Sequence, residues 1–231
     1  MVIAGLEKTS LIDYPKRVSA IVFTYGCNLR CPYCHNPELV TERLDKWNIL
    51  SERYILNFLK KRKGLLDGVV ITGGEPLINK DISSFIKKIK DLGFLVKLDT
   101  NGSYPGKLKS LIKAGLLDYI DMDIKYPEKI YIQGLNGGKK IPNILKSIEI
   151  VMSSELEYSF RTTYIKSLHT VESVDDICKM IKGADMYYIQ NFRAGKTIDP
   201  SLTSSLSFSK KELKEMKGRA SHYVKKTVIR Y

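Results

Sequence analysis

Three cysteines stand within eight residues, at Cys27, Cys31 and Cys34. Thiolates spaced C-x3-C-x2-C can reach one metal centre, and soft sulfur selects zinc or an iron–sulfur cluster. A structural zinc takes four ligands, and a cubane cluster normally takes four cysteines. His35 directly follows Cys34, which gives it awkward geometry as a fourth ligand. Cys178, the remaining cysteine, falls on the apolar side of a predicted helix beside Ile177 and Ile181, where it reads as a buried core residue. Three thiolates would leave one iron of a cubane open to a substrate or cofactor. Spacing alone does not separate that arrangement from an incomplete zinc site.

Other residues with chemical potential follow. Gly73 and Gly74 come after the apolar stretch LLDGVVIT. Glycine lets a ligand approach the backbone, and Glu75 offers a carboxylate to an ammonium group. Alone, GGEP also reads as an ordinary turn. Asp99, Thr100, Asn101 and Gly102 have the composition of a capping turn. Asp121, Asp123 and Lys125 recur at every second residue and share one face of a strand. They read either as a ligand site or as a salt bridge at a barrel mouth. Arg161 and Thr163 share a face of the following strand.

A repeating unit must position these residues. VSAIVFT, LLDGVVIT, FLVKLDT, LDYIDMDIK, LEYSFRTTYI and ADMYYIQNF read as six strands, alternating with helices near 51–63, 81–93, 108–115, 141–153 and 171–183. Such alternation indicates parallel βα units. Six are too few for an eight-stranded barrel, so an open, partial barrel fits. The cysteines follow the first strand, GGEP the second, DTNG ends the third and DMDIK the fourth. All stand at C-terminal strand ends, the face that carries chemistry in βα barrels. Residues 1–17 form an extension in which LIDYP is a short extended piece turning at Pro15. Residues 193–208 read as a loop. Ser209 caps a helix running to about Val224, with Glu212 completing a capping box, and the last residues read either as a short strand or as packing on the outside. The expectation is one domain over 1–231, with a core at about 18–192 and a helical tail at 193–231.

The net charge of +13, from 38 basic and 25 acidic side chains, suits polyanions or an acidic protein partner. The lysines are dispersed over many helices, however, and no arginine-rich block with interleaved aromatics marks nucleic-acid binding. No run approaches the roughly twenty apolar residues of a membrane span. MVIAGLEKTSLIDYP lacks the pattern of a signal peptide. Crowded cysteines in a chain without such a segment predict a reducing, cytoplasmic setting.

The cysteine spacing with an aromatic before the last ligand, Cys27, Cys31, Tyr33 and Cys34, resembles the radical S-adenosylmethionine (radical SAM) superfamily. The longer stretch GLEKTSLIDYPKRVSAIVFTYGCNLRCPYCHNPEL is similar to the activating enzymes of glycyl-radical enzymes. It is most similar to anaerobic ribonucleoside-triphosphate reductase activating proteins, and it also resembles pyruvate formate-lyase activating enzyme. The resemblance covers roughly residues 5–195. It implies a partial (β/α)6 TIM-like barrel of the radical SAM type.

The resemblance also implies a site. Cys27, Cys31 and Cys34 would ligate a [4Fe-4S] cluster whose open iron binds the amine and carboxylate of S-adenosylmethionine. Tyr33 would pack near the adenine, and Gly73, Gly74 and Glu75 would hold the methionyl amine. Asp99, Thr100 and Asp123, with the backbone at Asp121, match a monovalent cation site beside the methionyl carboxylate. Lys125 would contact the cofactor and Arg161 would pair with its carboxylate. Asn101 and Gln190 complete the set, Gln190 and Asn191 standing where some relatives use histidine. No side chain is implied as the catalyst, because the cofactor carries the radical.

The implied activity is reductive cleavage of S-adenosylmethionine to a 5′-deoxyadenosyl radical. An external one-electron donor such as flavodoxin or ferredoxin would supply the electron. The radical would then take a hydrogen atom from one glycine of a large glycyl-radical enzyme, an anaerobic ribonucleotide reductase. GLEKTSLIDYP and the loop near 126–140 are expected as walls of the groove for that partner. Alternatives are a pyruvate formate-lyase type activase, a radical SAM enzyme acting on a nucleoside, RNA or small metabolite, and a zinc-binding interaction module.

Overall fold

The computed structural model describes residues 1–41, 49–132 and 141–231. Its strands are β1 (Ile3–Ser10), β2 (Ser19–Thr24), β3 (Gly68–Gly73), β4 (Leu95–Thr100), β5 (Tyr119–Asp123), β6 (Glu157–Tyr164), β7 (Tyr187–Asn191) and β8 (Thr227–Arg230). The helices are α1 (Glu38–Thr41), α2 (Glu52–Lys60), α3 (Ile82–Asp91), α4 (Pro105–Lys113), α5 (Glu128–Ile132), α6 (Ile141–Met152), α7 (Ser173–Met180) and α8 (Lys210–Ala220). The strands hydrogen-bond in chain order. β1 runs antiparallel to β2, whereas β2–β3, β3–β4, β6–β7 and β7–β8 are parallel. The sheet is therefore mixed, mostly parallel and flanked by helices. From β2 to β7 it has the topology of a partial (β/α)6 barrel, as the alternation of elements predicts.

The chain forms two compact units and passes back and forth between them. The first contains Met1–Leu29, Asn36–Thr100 and Gly106–Ile120, and the second Arg30–His35, Asn101–Pro105 and Asp121–Tyr231. In the first unit, α3 buries Ile82, Phe85, Ile86 and Ile89, the stripe its helical spacing predicts. Tyr14, Ile21, Val70 and Tyr119 pack together on one face of the strands, with Phe23 and Leu95 against them. Residues two apart share a strand face, so Lys97 and Asp99 continue the face of Leu95. In the second unit, α7 buries Val174, Ile177 and Cys178, and α8 buries Leu213, Met216 and Ala220.

One part departs from expectation. The extension 1–17 contains a full strand, β1, paired from Ile3↔Thr24 to Ser10↔Ser19. Leu11 to Pro15 therefore lie past Ser19, at the opposite end of β2 from Cys27. Only the start of β1 runs beside Thr24, so most of GLEKTSLIDYP does not wall a groove at the cysteine end of this unit. Residues 133–140 of the other expected wall lie outside the described residues. In the tail, the short-strand alternative is the one the structure has. After β7, α8 returns the chain so that β8 pairs in parallel from Tyr187↔Thr227 to Gln190↔Arg230. It is one more βα unit rather than a loose helical appendage.

Ser209 caps α8 as predicted. Its hydroxyl accepts from the Glu212 amide at 3.3 Å, and the Glu212 carboxylate accepts from the Ser209 amide at 2.7 Å. Ser209→Ala should lower stability by about 1 kcal/mol, measured as a lower urea midpoint at unchanged slope.

Candidate functional site

In the first unit, parallel pairing brings Thr24 opposite Gly73. The β3 exit is consequently pressed against the chain leading to Cys27. The Gly74 amide donates to the Thr24 carbonyl at 3.0 Å and the Glu75 amide to the Gly26 carbonyl at 2.8 Å. A Cβ on Gly74 would fall on the Gly26 carbonyl, and one on Gly73, whose φ is +113°, would meet the backbone of Thr24. The expected reason for these glycines was access for a ligand. The structure gives another, the close approach of two backbones. Glu75 is fully buried. One of its carboxylate oxygens accepts from the Leu77 amide at 3.0 Å and from the Thr100 hydroxyl at 2.8 Å. It thereby caps the turn begun by Pro76 and ties it to the end of β4. Cys27 Sγ accepts from the Leu29 amide at 3.4 Å.

Asp99 is buried and forms an ion pair with Lys97, which is 2% exposed. Lys97 was not among the sequence candidates. The same two-residue alternation that singled out Asp121 and Asp123 also puts Lys97 beside Asp99 in FLVKLDT, so the signal was present.

In the second unit, the Cys34 amide donates to the Cys31 carbonyl at 3.0 Å. Cys31 is buried, and burial pushes its thiol up, opposed by the Lys125 ammonium and by a hydrogen bond from the Tyr126 hydroxyl. Tyr33 is buried, edge-on to Tyr126 at 6.3 Å, and its hydroxyl donates to the Lys125 carbonyl at 3.3 Å. Burial raises its phenol well above the ordinary range. β5 stops at Asp123, yet Lys125 Nζ still lies 3.2 Å from Asp123 Oδ1. Arg161 on β6 binds both β5 aspartates. Nη1 donates to Asp121 Oδ2 at 3.0 Å, while Nε and Nη2 donate to the two Asp123 oxygens at 2.9 Å. Burial alone would raise the Asp123 carboxyl, but Arg161 and then Lys125 overrule it and hold it well below the usual range. The guanidinium expected to pair with a cofactor carboxylate is thus engaged with two aspartates of its own unit.

The remaining candidates separate by their bonds. The Asn101 side chain accepts from the Ser103 amide at 3.0 Å. Asn191 brackets Phe208, accepting from its amide and donating to its carbonyl at 2.9 Å each. It serves the β7–tail junction, while Gln190 beside it is half-buried. His35 stacks on Phe192 and contacts the Arg193 carbonyl at 2.9 Å. Cys178 is fully buried and its thiol is pushed up to about 12 by burial, as a core cysteine should be. None of the four cysteines is in a disulfide.

His169 carried no sequence signal, because only the fold brings it to Lys125. Its Nδ1 accepts from the Ile165 amide at 3.3 Å, so Nε2 holds the proton and donates to the Lys125 carbonyl at 3.0 Å. The ring stacks on Tyr126 at 6.0 Å. Burial lowers its pKa to about 4.

A family model of the radical SAM superfamily matches residues 21–184. A Methanocaldococcus jannaschii protein provisionally named a glycyl-radical enzyme activating enzyme is 34% identical, over 99% of this chain and 95% of its own length. The chain belongs to the radical SAM superfamily, in a family of glycyl-radical-enzyme activating proteins. The pyruvate formate-lyase-activating enzyme of Clostridium pasteurianum is 28% identical over 79% of this chain and 78% of its own. Among solved structures, SuiB of Streptococcus suis matches with a TM-score of 0.65 at 15% identity, over 91% of this chain and 48% of that one. That likeness is one of fold. Among the described residues no helix is long and apolar enough to cross a membrane.

Among the described residues no group of three or more His, Cys, Asp and Glu side chains is placed to hold a metal ion. What recommends Cys27, Cys31 and Cys34 as ligands is donor chemistry. They are unbridged thiols, Cys27 sulfur receives an amide N–H, and an ammonium and a phenol hydroxyl act on Cys31. Such partners stabilise thiolate sulfur and fit an iron–sulfur centre.

Two outcomes are expected from this geometry. Gly74→Ala should destabilise by more than about 2 kcal/mol, because backbone must move. Gly218→Ala in α8, where a Cβ meets nothing within 4 Å, should stabilise by about 0.5–1 kcal/mol; chemical denaturation of both variants checks the contrast. His169 stays neutral in the fold to about pH 4 but protonates near 6.5 when unfolded. Its contribution is therefore complete above about pH 6.5 and falls as pH drops toward 4, by about 2 kcal/mol at pH 5. His169→Gln should flatten the stability profile between pH 6.5 and 4, whatever its baseline.

Proposed function

We propose that this radical SAM protein reductively cleaves S-adenosylmethionine and installs a glycyl radical on a larger partner, an anaerobic ribonucleoside-triphosphate reductase. The observation that carries the reading is the nearly end-to-end match to a protein named as a glycyl-radical enzyme activating enzyme. The choice of a reductase as partner rests on the resemblance around residues 5–40. The match to the Clostridium pasteurianum enzyme favours a formate-lyase partner as the second reading.

In this proposal Cys27, Cys31 and Cys34 would hold a [4Fe-4S] cluster, which, once reduced by the external one-electron donor, would supply the electron that cleaves the sulfonium–C5′ bond of bound S-adenosylmethionine. The protein's own residues bind and orient. Lys125 and Tyr126 offset negative charge at Cys31. Glu75 orders the GGEP turn, so that Gly73 and Gly74 present backbone groups to the methionyl amine. Asp99, Asn101, Asp123 and Gln190 complete the polar lining, with Asp123 kept ionised by Arg161. Tyr33 gives the adenine a buried aromatic edge. The excess of 38 basic over 25 acidic side chains suits an acidic electron donor such as flavodoxin or ferredoxin.

The test begins with anaerobic reconstitution and reductant, with 5′-deoxyadenosine as the product measured. Cys31→Ala should lose the cluster absorbance and at least about 100-fold of product formation, a gap of roughly 3 kcal/mol in transition-state terms. A glycyl-radical signal in electron paramagnetic resonance should then arise on mixing with the reductase and not with a formate-lyase; the reverse selects the second reading. Stoichiometric zinc without iron and sulfide would sink both.

A further inference from the structure

The family resemblance implies a monovalent cation at Asp99, Thr100, Asp123 and the Asp121 backbone, and the two carboxylates of that set, Asp99 and Asp123, are already paired with side-chain cations, which does not suit one. A hard cation takes oxygen ligands, and a carboxylate that already carries an ammonium or guanidinium attracts it less. In the first unit, the Lys97 ammonium sits on the Asp99 carboxylate as a buried ion pair. In the second unit, two carboxylates meet two cations. Arg161 spans Asp121 and Asp123 at 2.9–3.0 Å, Lys125 lies 3.2 Å from Asp123, and the Ser159 hydroxyl donates to Asp121 at 3.0 Å. Each unit therefore balances its own carboxylates with side-chain charge.

We propose that this chain works without a bound monovalent cation, Lys97 supplying at Asp99 the positive charge that such an ion would bring. The device is written into β4, where period-two alternation puts Lys97 on the same face as Asp99, its ammonium 6.0 Å from the centre of the Tyr119 ring and the side chain buried. A lysine held this way keeps its charge beside Asp99. Lys97 is a positioning residue here. It fixes and neutralises Asp99, and the inference rests on the S-adenosylmethionine reading above.

The experiment is isothermal titration of S-adenosylmethionine into the anaerobically reconstituted protein, in potassium, sodium and choline chloride at one ionic strength. The wild-type dissociation constants should agree within about twofold across the three salts. Binding about tenfold tighter in potassium or sodium than in choline overturns the proposal. Lys97→Met leaves Asp99 without its cation and should create a salt preference, at least about fivefold weaker in choline than in potassium, while Lys97→Arg should keep the wild-type indifference. Equal weakening of Lys97→Met in all three salts assigns Lys97 a structural role only and also overturns it. If Lys97→Met does not fold, the wild-type series decides alone. No binding in any salt, by protein with a full cluster, overturns the S-adenosylmethionine reading itself, a result distinct from cation dependence.

Discussion

The contact on which the first unit depends is between two stretches of bare backbone. Parallel pairing of β2 and β3 puts Thr24 opposite Gly73, and both strands leave the sheet at that point. Their exits can cross only because Gly73 and Gly74 carry no side chain. Two amide hydrogen bonds then lock the crossing. Glu75 extends the lock to β4 through Thr100. The segment entering the cysteine loop is thus fixed by three consecutive strand ends, with main-chain groups and one buried carboxylate as the fasteners.

In the second unit the corresponding role falls to ion pairs. Removing one partner of a buried pair typically leaves an uncompensated charge worth about 3–5 kcal/mol, whereas an exposed pair such as Lys87 with Asp91 contributes about 0–1 kcal/mol. Arg161 is therefore a structural requirement of β5 as well as a neighbour of the site. It also keeps Asp123 charged throughout the physiological range. His169 supports the same region without charge, through the Lys125 carbonyl.

The alternation of period-two strands and amphipathic helices was legible because each element has its own apolar face, as α3 shows. β1 was not, since GLEKT has no alternation and three consecutive exposed residues; it is a strand by pairing with β2. β8 was ambiguous for a similar reason, being four residues long and only partly buried. Site residues on one strand could be grouped by parity, which found Asp121 with Asp123 and could have found Lys97 with Asp99. Partnerships between strands could not be read this way. Nothing in the sequence registers β6 against β5, so Arg161 was assigned to a cofactor when its fork closes on two aspartates. The GGEP glycines were marked for ligand access; the backbone crossing that also requires them depends on the pairing of β2 with β3, which the sequence does not register.

β1 ends the strand order; Leu50 bridges Ile3, and beyond that bridge no further strand lies along it among the described residues, an edge on which another chain could add a strand. Two register shifts interrupt β1, between Ile3 and Gly5 and between Glu7 and Ser10. Glu7 and Lys8 lie exposed at the second of them. Bulges twist an edge away from a flat partner, and charges on it resist burial. The irregularity that hid this strand from pattern reading also protects the sheet from growing, strand by strand, into an aggregate.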